Sequence, residues 1–510
     1  MALIVPTASN SGEEVALRDG RSALGWAEVD DLTARAAAAI RRDIAPGRRV
    51  GIFARNAAET ALGYVAGLRA GVSPVPINFH LTPAECAYIL HDADIGMLLV
   101  GPENAATALA AAAEAGISRV IGWRCLPLPG LAAWEDWLAD DPIDQLDRPA
   151  RPYLHYTSGT TGRPKGAETP PAMFPQVDSV GALFAAYRTL AEELPAGPSL
   201  IIGPMYHTGP LNSVRHLIGG KPLIVAERFD AEDTLRLIAD HGVSTATMVP
   251  THFQRMLALP ADARAAHDVR SLRAVSHTGA ACPPEVKRAM IDWFGPVLTE
   301  SYGATEVGST TMITAQEWLD HPGSVGKPQP GFELLVLDDA GEPVPQGATG
   351  RLFFRDLSGV GVRYHNAPEK SAAAHIAPGV FTLGDIGHVD AEGYVYITDR
   401  ESDMIVSGGV NIYPAEIEAA LALHPDVADS AVIGVPDAEM GEAVKALVIP
   451  RAGATIDADA LLSHCREHLA GYKRPRSIDL VEDIGRNPMG KVNKRTLRAP
   501  YWPTGRTIGG

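Results

Sequence analysis

The first three hundred residues alternate between two hydrophobic patterns. Short runs of aliphatic and β-branched residues, such as 50–54 and 96–100, are typical of buried strands. The segments between such runs have helical spacing and capping signals: Asn56 and Thr82 stand at N-cap positions, and Gly71 follows the first of these helices. Because strands that alternate with helices form parallel sheets covered on both faces, we predict a large α/β domain of layered parallel sheets.

After about residue 310 the pattern changes, and turns rich in glycine and proline separate strands of alternating hydrophobicity. This spacing predicts an antiparallel, β-barrel-like subdomain over about 311–400. Beyond a charged segment at 399–403, helices and strands mix in a compact α+β pattern. We therefore assign 1–400 to a large N-terminal domain and 401–510 to a small C-terminal α+β domain.

Composition and charge narrow the function classes. The chain has 510 residues, of which 46% are hydrophobic, and a formal net charge of -17 without a block of lysine and arginine. A nucleic-acid partner is not expected, since such binding depends on positive charge. Nothing resembles a signal peptide and no apolar run could span a bilayer, so we predict a cytoplasmic protein without a membrane span. The cysteines lack metal-ligand spacing, which indicates reduced thiols. They are Cys86, Cys125, Cys282 and Cys465.

The segment YTSGTTGRPKG, at 156–166, carries the clearest chemical signal. Its glycines let the backbone approach an anion closely, and its amides and hydroxyls can donate to phosphate oxygens. Lys165 adds a mobile positive charge, while Pro164 replaces the glycine that precedes the lysine in a Walker A loop. Alone, such a loop would more often be a flexible surface turn. The candidate phosphate-binding residues are Thr157, Ser158, Gly159, Thr160, Thr161, Gly162 and Lys165.

Further motifs follow this loop along the chain. They are SYGATE at 301–306, TLGD at 382–385, DRESDMIVSGGVNIYPAEIE at 399–418 and NPMGK at 487–491. Together and in this order, the motifs resemble those of the adenylate-forming superfamily of acyl-CoA synthetases, peptide-synthetase adenylation domains and firefly-type luciferases. The resemblance covers essentially the whole chain. It implies an enzyme that uses ATP and Mg²⁺ to adenylate a carboxylic acid and then transfers the acyl group to coenzyme A.

The resemblance also implies roles for individual residues around the nucleotide. Thr161 and Glu306 would hold magnesium, and Thr305 would contact the α-phosphate. Asp385 would accept both ribose hydroxyls, since a carboxylate can take two donors at once, and Arg400 would reach the ribose or phosphate. The adenine slot and its surroundings would comprise Gly279, Ala280, Ala281, Ser301, Tyr302 and Gly303.

By the same resemblance, Lys491 is the catalytic cation of the first step. It would offset the charge that develops as the carboxylate attacks the α-phosphate. The C-terminal domain would be mobile, with one pose bringing Lys491 in and another opening a thiol channel. Gly408 and Gly409 would line the pantetheine path. Lys473 and Arg474 are candidates for the phosphates of coenzyme A, with a solvated basic helix end as an equal alternative.

The sequence departs from the family in two places. Ser402 stands at the hinge position, which is commonly Asp or Lys; we retain it as the hinge, and Asp403 could share the role. After the phosphate loop, Pro170 and Pro171 replace the usual entry into a helix. We therefore expect a reshaped wall near the acyl site.

By the same resemblance, the acyl pocket would be formed by segments 203–210 and 249–253 together with the nucleotide loops. Its predicted residues are His207, Thr251, Phe253, Gly279, Ala280 and Gly308, and His207 is also a candidate catalytic residue. Neither segment carries an acidic residue to pair with an amino group. We therefore expect an apolar acid, as in fatty, alicyclic or aromatic acid metabolism.

Two other functions remain open at this point. One is a stand-alone adenylating enzyme that passes the acyl group to an amine or a carrier-protein thiol. The other is a non-catalytic nucleotide-binding relative, against which the joint presence of Thr161, Glu306, Asp385 and Lys491 argues. The sequence leaves the oligomeric state open, with a homodimer as one option.

Overall fold

A computed structural model describes residues 2–139, 141–142, 145–157, 164–338, 340–400, 402–407, 410–437, 440–487 and 490–502. The largest sheet has nine strands, and its central strands run parallel, as the alternating pattern predicts. Across the sheet these strands are Lys327–Pro328, Gly308–Thr314, Leu298–Ala304, Ala274–His277, Thr245–Met248, Ser199–Ile201, Leu223–Val225, Val15–Arg18 and Ala23–Gly25.

A second sheet of five strands is parallel throughout. Its strands, in spatial order, are Pro74–Pro76, Arg49–Phe53, Ile95–Val100, Val120–Gly122 and Leu131–Ala133. The N-terminal helices are Trp26–Asp43, Ala58–Arg69, Pro83–Asp92, Ala105–Ala115, Trp134–Trp137, Val180–Glu192, Thr208–Asn212, Val214–Ile218, Ala231–His241, Pro250–Leu257, Ala261–Ala265, Pro284–Phe294, Ala315–Asp320 and Pro368–Ala373. The predicted α/β architecture is therefore confirmed.

The two N-cap predictions have different outcomes. Thr82 caps the helix Pro83–Asp92 in a capping box with Glu85, as predicted. The prediction for Asn56 is wrong, because the cap of Ala58–Arg69 is Ala57. The Asn56 amide instead donates to the carbonyls of Gly203 (2.9 Å) and Ala226 (3.0 Å). These distant partners bind the buried side chain to the loop that leads to His207, and a local pattern cannot reveal them.

The third sheet is antiparallel, as predicted for this part of the chain. Its strands are Phe332–Leu337, Gly350–Asp356, His375–Ala377, Val380–Val389 and Val395–Arg400. The strands Gly308–Thr314 and Lys327–Pro328 pair with the nine-stranded sheet, so the separate antiparallel sheet begins at Phe332. The domain boundaries themselves stay predictions.

The C-terminal part forms an α+β unit with its own hydrophobic core. Its sheet comprises Val410–Ile412, Ile405–Ser407, Gly441–Pro450, Val427–Asp437 and Ser477–Leu480, and its helices are Pro414–Ala422, Ala458–His468 and Lys494–Arg498. A remaining two-stranded hairpin, Leu154–Thr157 with Lys165–Glu168, lies in the N-terminal part. Across the described ranges, no helix combines the length and apolar character needed to cross a membrane.

Candidate active site

The hairpin Leu154–Thr157 and Lys165–Glu168 forms the base of the candidate phosphate loop. Thr157 and Lys165 face each other in its antiparallel register, so the intervening loop starts and ends at one place. Both candidate residues at the ends of the loop therefore lie together. The other candidates, Ser158, Gly159, Thr160, Thr161 and Gly162, lie outside the described residues.

Glu306 lies beside this base, in the turn between the strands Leu298–Ala304 and Gly308–Thr314. Thr157 Oγ1 donates to Glu306 Oε1 at 3.2 Å, and Tyr364 Oη donates to the same oxygen at 3.4 Å. The other carboxylate oxygen, Oε2, has no hydrogen-bond partner within the described part of the chain. One carboxylate oxygen beside a phosphate loop suits Mg²⁺, which proteins commonly hold by one or two carboxylates together with substrate phosphates.

Two residues at this place escaped the sequence analysis. Tyr364 contacts Glu306, and its ring centroid lies 5.3 Å from the Lys165 ammonium. Thr208 Oγ1 donates to Thr305 Oγ1 at 3.1 Å, which joins the segment after His207 to the turn that carries Glu306. Thr208 could have been found as the neighbour of a predicted pocket residue. Tyr364 had no local signal, because its contacts come from distant parts of the chain.

The predicted adenine and ribose residues also meet. Tyr302 Oη donates to Asp385 Oδ2, although the two residues belong to different sheets, and Asp385 is buried. Gly279 has a φ of +91°, a left-handed conformation that favours glycine. Thr278 Oγ1 donates to the carbonyl of Ser301 at 2.8 Å, so the two predicted nucleotide loops are joined directly. Ala280 and Ala281 follow Gly279 in the first loop, whereas Ser301, Tyr302 and Gly303 lie within the strand Leu298–Ala304 and not in a loop.

His207 stands at the start of the short helix Thr208–Asn212, with its ring packed 4.2 Å from that of Tyr206. Its Nε2 is buried and has no hydrogen-bond partner among the residues that the structure describes. Burial lowers the pKa of His207 to about 3, and the nearby charge of Lys491 contributes to the shift. The imidazole is therefore neutral at pH 7, where it can donate or accept a hydrogen bond but cannot serve as a cation.

Gly490, in the C-terminal NPMGK motif, lies against Thr251 of the predicted acyl pocket. A Cβ atom added to Gly490 would lie 2.7 Å from Cγ2 of Thr251. The next residue, Lys491, lies close enough to lower the pKa of His207. The fold thus brings together three predicted residues from distant parts of the chain, with the lysine beside the pocket.

This close contact predicts the effect of Gly490→Ala. The added methyl group would collide with Thr251 and displace Lys491, and we expect about ten- to hundredfold slower adenylate formation, as misplacement of catalytic groups commonly causes. Gly485→Ala is the matched control, because Gly485 also has a positive φ (+65°, against +76° for Gly490) but has no atom within 4 Å of an added Cβ. Adding Thr251→Ala to Gly490→Ala should restore part of the rate. Equal losses in the two glycine variants would contradict this contact.

The remaining pocket predictions have different surroundings. Phe253 is fully buried, with its ring 5.3 Å from that of His277, so it contributes to the hydrophobic core. Gly308 borders Met173, whose Cγ would lie 2.8 Å from an added Cβ. Met173 belongs to the 3₁₀ turn Pro171–Met173, and the next helix begins only at Val180. At Pro170 and Pro171 the chain therefore forms a short turn where the family has a helix start. This turn contacts Gly308, a predicted pocket residue.

The predicted coenzyme A contacts stay predictions. Lys473 pairs with Glu416 at 2.6 Å, and Arg474 donates to the carbonyls of Leu469 and Arg466, so both side chains have partners within the chain. The alternative of a basic helix end therefore remains open. Gly408 and Gly409 lie outside the described residues, as does the side chain of Arg400.

Arg498 contacts the predicted hinge. It donates to the carbonyl of Ser402 and to Asp403 Oδ1, at 3.2 Å in each case. The contact joins the helix Lys494–Arg498, which follows the lysine motif, to the start of the C-terminal unit. The role of Ser402 as a hinge stays a prediction.

Comparisons with known proteins agree with this geometry. The chain matches the AMP-binding enzyme family over residues 6–362 and the AMP-binding enzyme C-terminal domain over residues 416–491. It is 34% identical over 505 residues to a feruloyl-CoA synthase of an Amycolatopsis species, with 98% of each chain covered. It is 31% identical to an indoleacetate–CoA ligase of Aromatoleum aromaticum, covering 95% of this chain and 94% of that protein.

A solved structure shows the same likeness. The amide bond synthetase McbA from Marinactinospora thermotolerans is similar with a TM-score of 0.80 and 26% identity, over 96% of this chain and 97% of that chain. The chain therefore belongs to the AMP-binding enzymes of the adenylate-forming superfamily, and it is an AMP-forming acid–thiol ligase.

Proposed function

We propose that this enzyme adenylates an apolar carboxylic acid in the presence of Mg²⁺ and transfers the acyl group to coenzyme A. The observation that supports the proposal is the close approach of Gly490 to Thr251, next to Lys491, whose charge is near enough to lower the pKa of His207. A positively charged side chain thus lies near two residues of the predicted acyl pocket. Thr208 and Thr305 connect that pocket to the turn that carries Glu306.

In the first step, a carboxylate oxygen of the acid attacks the α-phosphorus of ATP, and the bond to the bridging oxygen of pyrophosphate breaks. Lys491 offsets the negative charge that develops between the two anions. Asp385, buried against Tyr302, accepts the ribose hydroxyls. Thr161 and Glu306 are the residues that would hold magnesium, which neutralises phosphate charge when bound.

In the second step, the sulfur of coenzyme A attacks the acyl carbon of the adenylate. The bond to the phosphate oxygen breaks, AMP leaves, and the thiol loses its proton. Gly408 and Gly409 are the proposed pantetheine contacts, since glycines leave room for a ligand to pass close to the backbone.

The pocket residues favour an acid without a second charge. His207 is neutral at pH 7 because burial lowers its pKa to about 3. Thr251 and Gly308 are uncharged, and neither pocket segment carries an acidic residue. The relatives named for feruloyl-CoA synthesis and indoleacetate–CoA ligation add support for an aromatic acid within the apolar class.

An amine is the second candidate acceptor. The first half-reaction would serve either acceptor, but the likeness to an amide bond synthetase is weaker support than the relatives named as CoA-forming enzymes. A carrier-protein thiol would use the same chemistry as coenzyme A. The placement of Lys491 at the pocket weighs against a chain that only binds nucleotides, which would have no use for a catalytic lysine there.

A product assay by mass spectrometry tests the proposal. The purified protein receives ATP, Mg²⁺, coenzyme A and pooled aromatic, alicyclic, fatty, dicarboxylic and amino acids, with Lys491→Ala as the control. We expect acyl-CoA masses from apolar acids with the unsubstituted protein. Products from dicarboxylic or amino acids alone would contradict the acid class, and AMP without a thioester would favour another acceptor.

A further inference from the structure

Tyr364 lies on a segment that pairs with the base of the phosphate loop. Two main-chain hydrogen bonds, of 3.0 and 2.7 Å, connect residues 363–365 to residues 166–168. The segment therefore lies along the strand Lys165–Glu168, which follows the candidate phosphate loop in the sequence. This pairing fixes the backbone of Tyr364 relative to Lys165.

The hydroxyl group of Tyr364 acts on the candidate metal-binding carboxylate. Tyr364 Oη and Thr157 Oγ1 both donate to Glu306 Oε1, at 3.4 and 3.2 Å. Two donors on one oxygen restrict rotation of the carboxylate and leave Oε2 as the oxygen available to a cation. A tyrosine hydroxyl is protonated at neutral pH and can therefore donate this hydrogen bond.

The ring of Tyr364 acts on the candidate phosphate-binding cation. The Lys165 ammonium lies 5.3 Å from the ring centroid, within the range of a cation–π interaction. Because the same tyrosine also contacts Glu306, this contact keeps the lysine near that carboxylate. One side chain thus contacts both the candidate metal-binding carboxylate and the candidate phosphate-binding lysine.

We propose that Tyr364 is a positioning residue for magnesium–ATP, with its hydroxyl orienting Glu306 and its ring holding Lys165 at the phosphate loop. The inference rests on the proposed function in taking magnesium–ATP as the ligand. The two parts of the side chain have separable effects. The hydroxyl affects only the metal-dependent part of binding, whereas the ring also affects the direct contact between lysine and phosphate.

Calorimetric titration of three variants with ATP tests the proposal, once with Mg²⁺ and once with EDTA. Tyr364→Phe should weaken magnesium–ATP binding about three- to tenfold, the loss expected for one typical hydrogen bond, and leave metal-free binding unchanged. Tyr364→Leu should weaken both, because Lys165 loses the ring. Tyr396→Phe is the matched control, since it removes a hydroxyl that donates to Asp390 at 3.3 Å, outside the site.

The outcomes separate this inference from the proposed function. If Tyr364→Phe binds magnesium–ATP as tightly as the unsubstituted protein, or loses both affinities equally, Tyr364 does not orient Glu306. Circular dichroism checks that each variant is folded. If Tyr364→Leu does not fold, Tyr364→Phe alone still tests whether the hydroxyl orients Glu306. If the unsubstituted protein binds no ATP in either condition, the proposed function fails as well.

Discussion

Replacing Lys491 by alanine is expected to lower the rate of adenylate formation by about a hundredfold or more, the scale at which preorganised charge stabilises transition states. The lysine lies beside His207, at the pocket where the carboxylate would meet ATP. The positive charge of the lysine acts mainly on the negative charge that develops in the transition state. The affinity of the Lys491→Ala variant for ATP should therefore change little. Pyrophosphate release measures the rate, and calorimetry measures the ATP affinity.

Lys494→Ala is the matched control for this prediction. Lys494 lies three residues further along the chain and pairs with Glu418 at 2.8 Å, so its charge is engaged elsewhere. Transfer of the acyl group from a supplied acyl-adenylate should survive Lys491→Ala, because the first step is bypassed. Unchanged adenylation in Lys491→Ala, or an equal loss in Lys494→Ala, would overturn the assignment of the lysine.

The second large effect concerns stability. Lys287 Nζ lies 2.5 Å from Glu300 Oε2, and the lysine side chain is fully buried while 8% of the glutamate side chain is exposed. Burial lowers the pKa of Lys287 and raises the pKa of Glu300, and the attraction within the pair opposes both shifts. Lys287→Met would leave the carboxylate buried without its partner. We expect the free energy of unfolding to fall by about 3–5 kcal/mol.

Urea unfolding followed by circular dichroism measures this loss. The double variant Lys287→Met with Glu300→Gln should recover much of the stability, because no charge is then left unpaired. Arg355→Met is the exposed control: its pair with Glu333 at 3.1 Å has about half of each side chain exposed, and its loss should cost less than about 1 kcal/mol. If Lys287→Met lowered the free energy of unfolding by no more than Arg355→Met does, the buried pair would contribute little to stability.

Local sequence patterns predicted the architecture well. The alternation of apolar runs and helical segments gave the parallel sheets, and the turn-rich region gave the antiparallel sheet. The capping box of Thr82 followed from residues within one helical turn. Asn56 presented the same local signal, but its amide donates to the carbonyls of Gly203 and Ala226, which lie 147 and 170 residues away in the chain. The Asn56 side chain therefore does not cap the helix, because its buried amide donates to carbonyls in distant parts of the chain.

In the candidate site, too, some residues were predicted from local motifs and others depend on distant contacts. Glu306, Asp385 and Lys491 were predicted from motifs, and the fold places Glu306 beside Thr157, Asp385 against Tyr302 and Lys491 beside His207. The motifs carry this information because the chemistry restricts which residue types can serve. They do not reveal Tyr364, which reaches Glu306 and Lys165 only because its segment pairs with the phosphate-loop hairpin.

The sequence by itself determined the fold class, the order of the domains and the chemical class of the reaction. The fold class depends on hydrophobic periodicity and capping, which act over a few neighbouring positions, whereas the reaction class followed from motifs that resemble those of a known superfamily. Only the tertiary structure decided that Tyr364 contacts Glu306, that Lys287 is paired in the core and that Gly490 meets Thr251. Each of these contacts joins segments that lie far apart in the chain, or faces of elements that only packing brings together, so no local pattern could specify them.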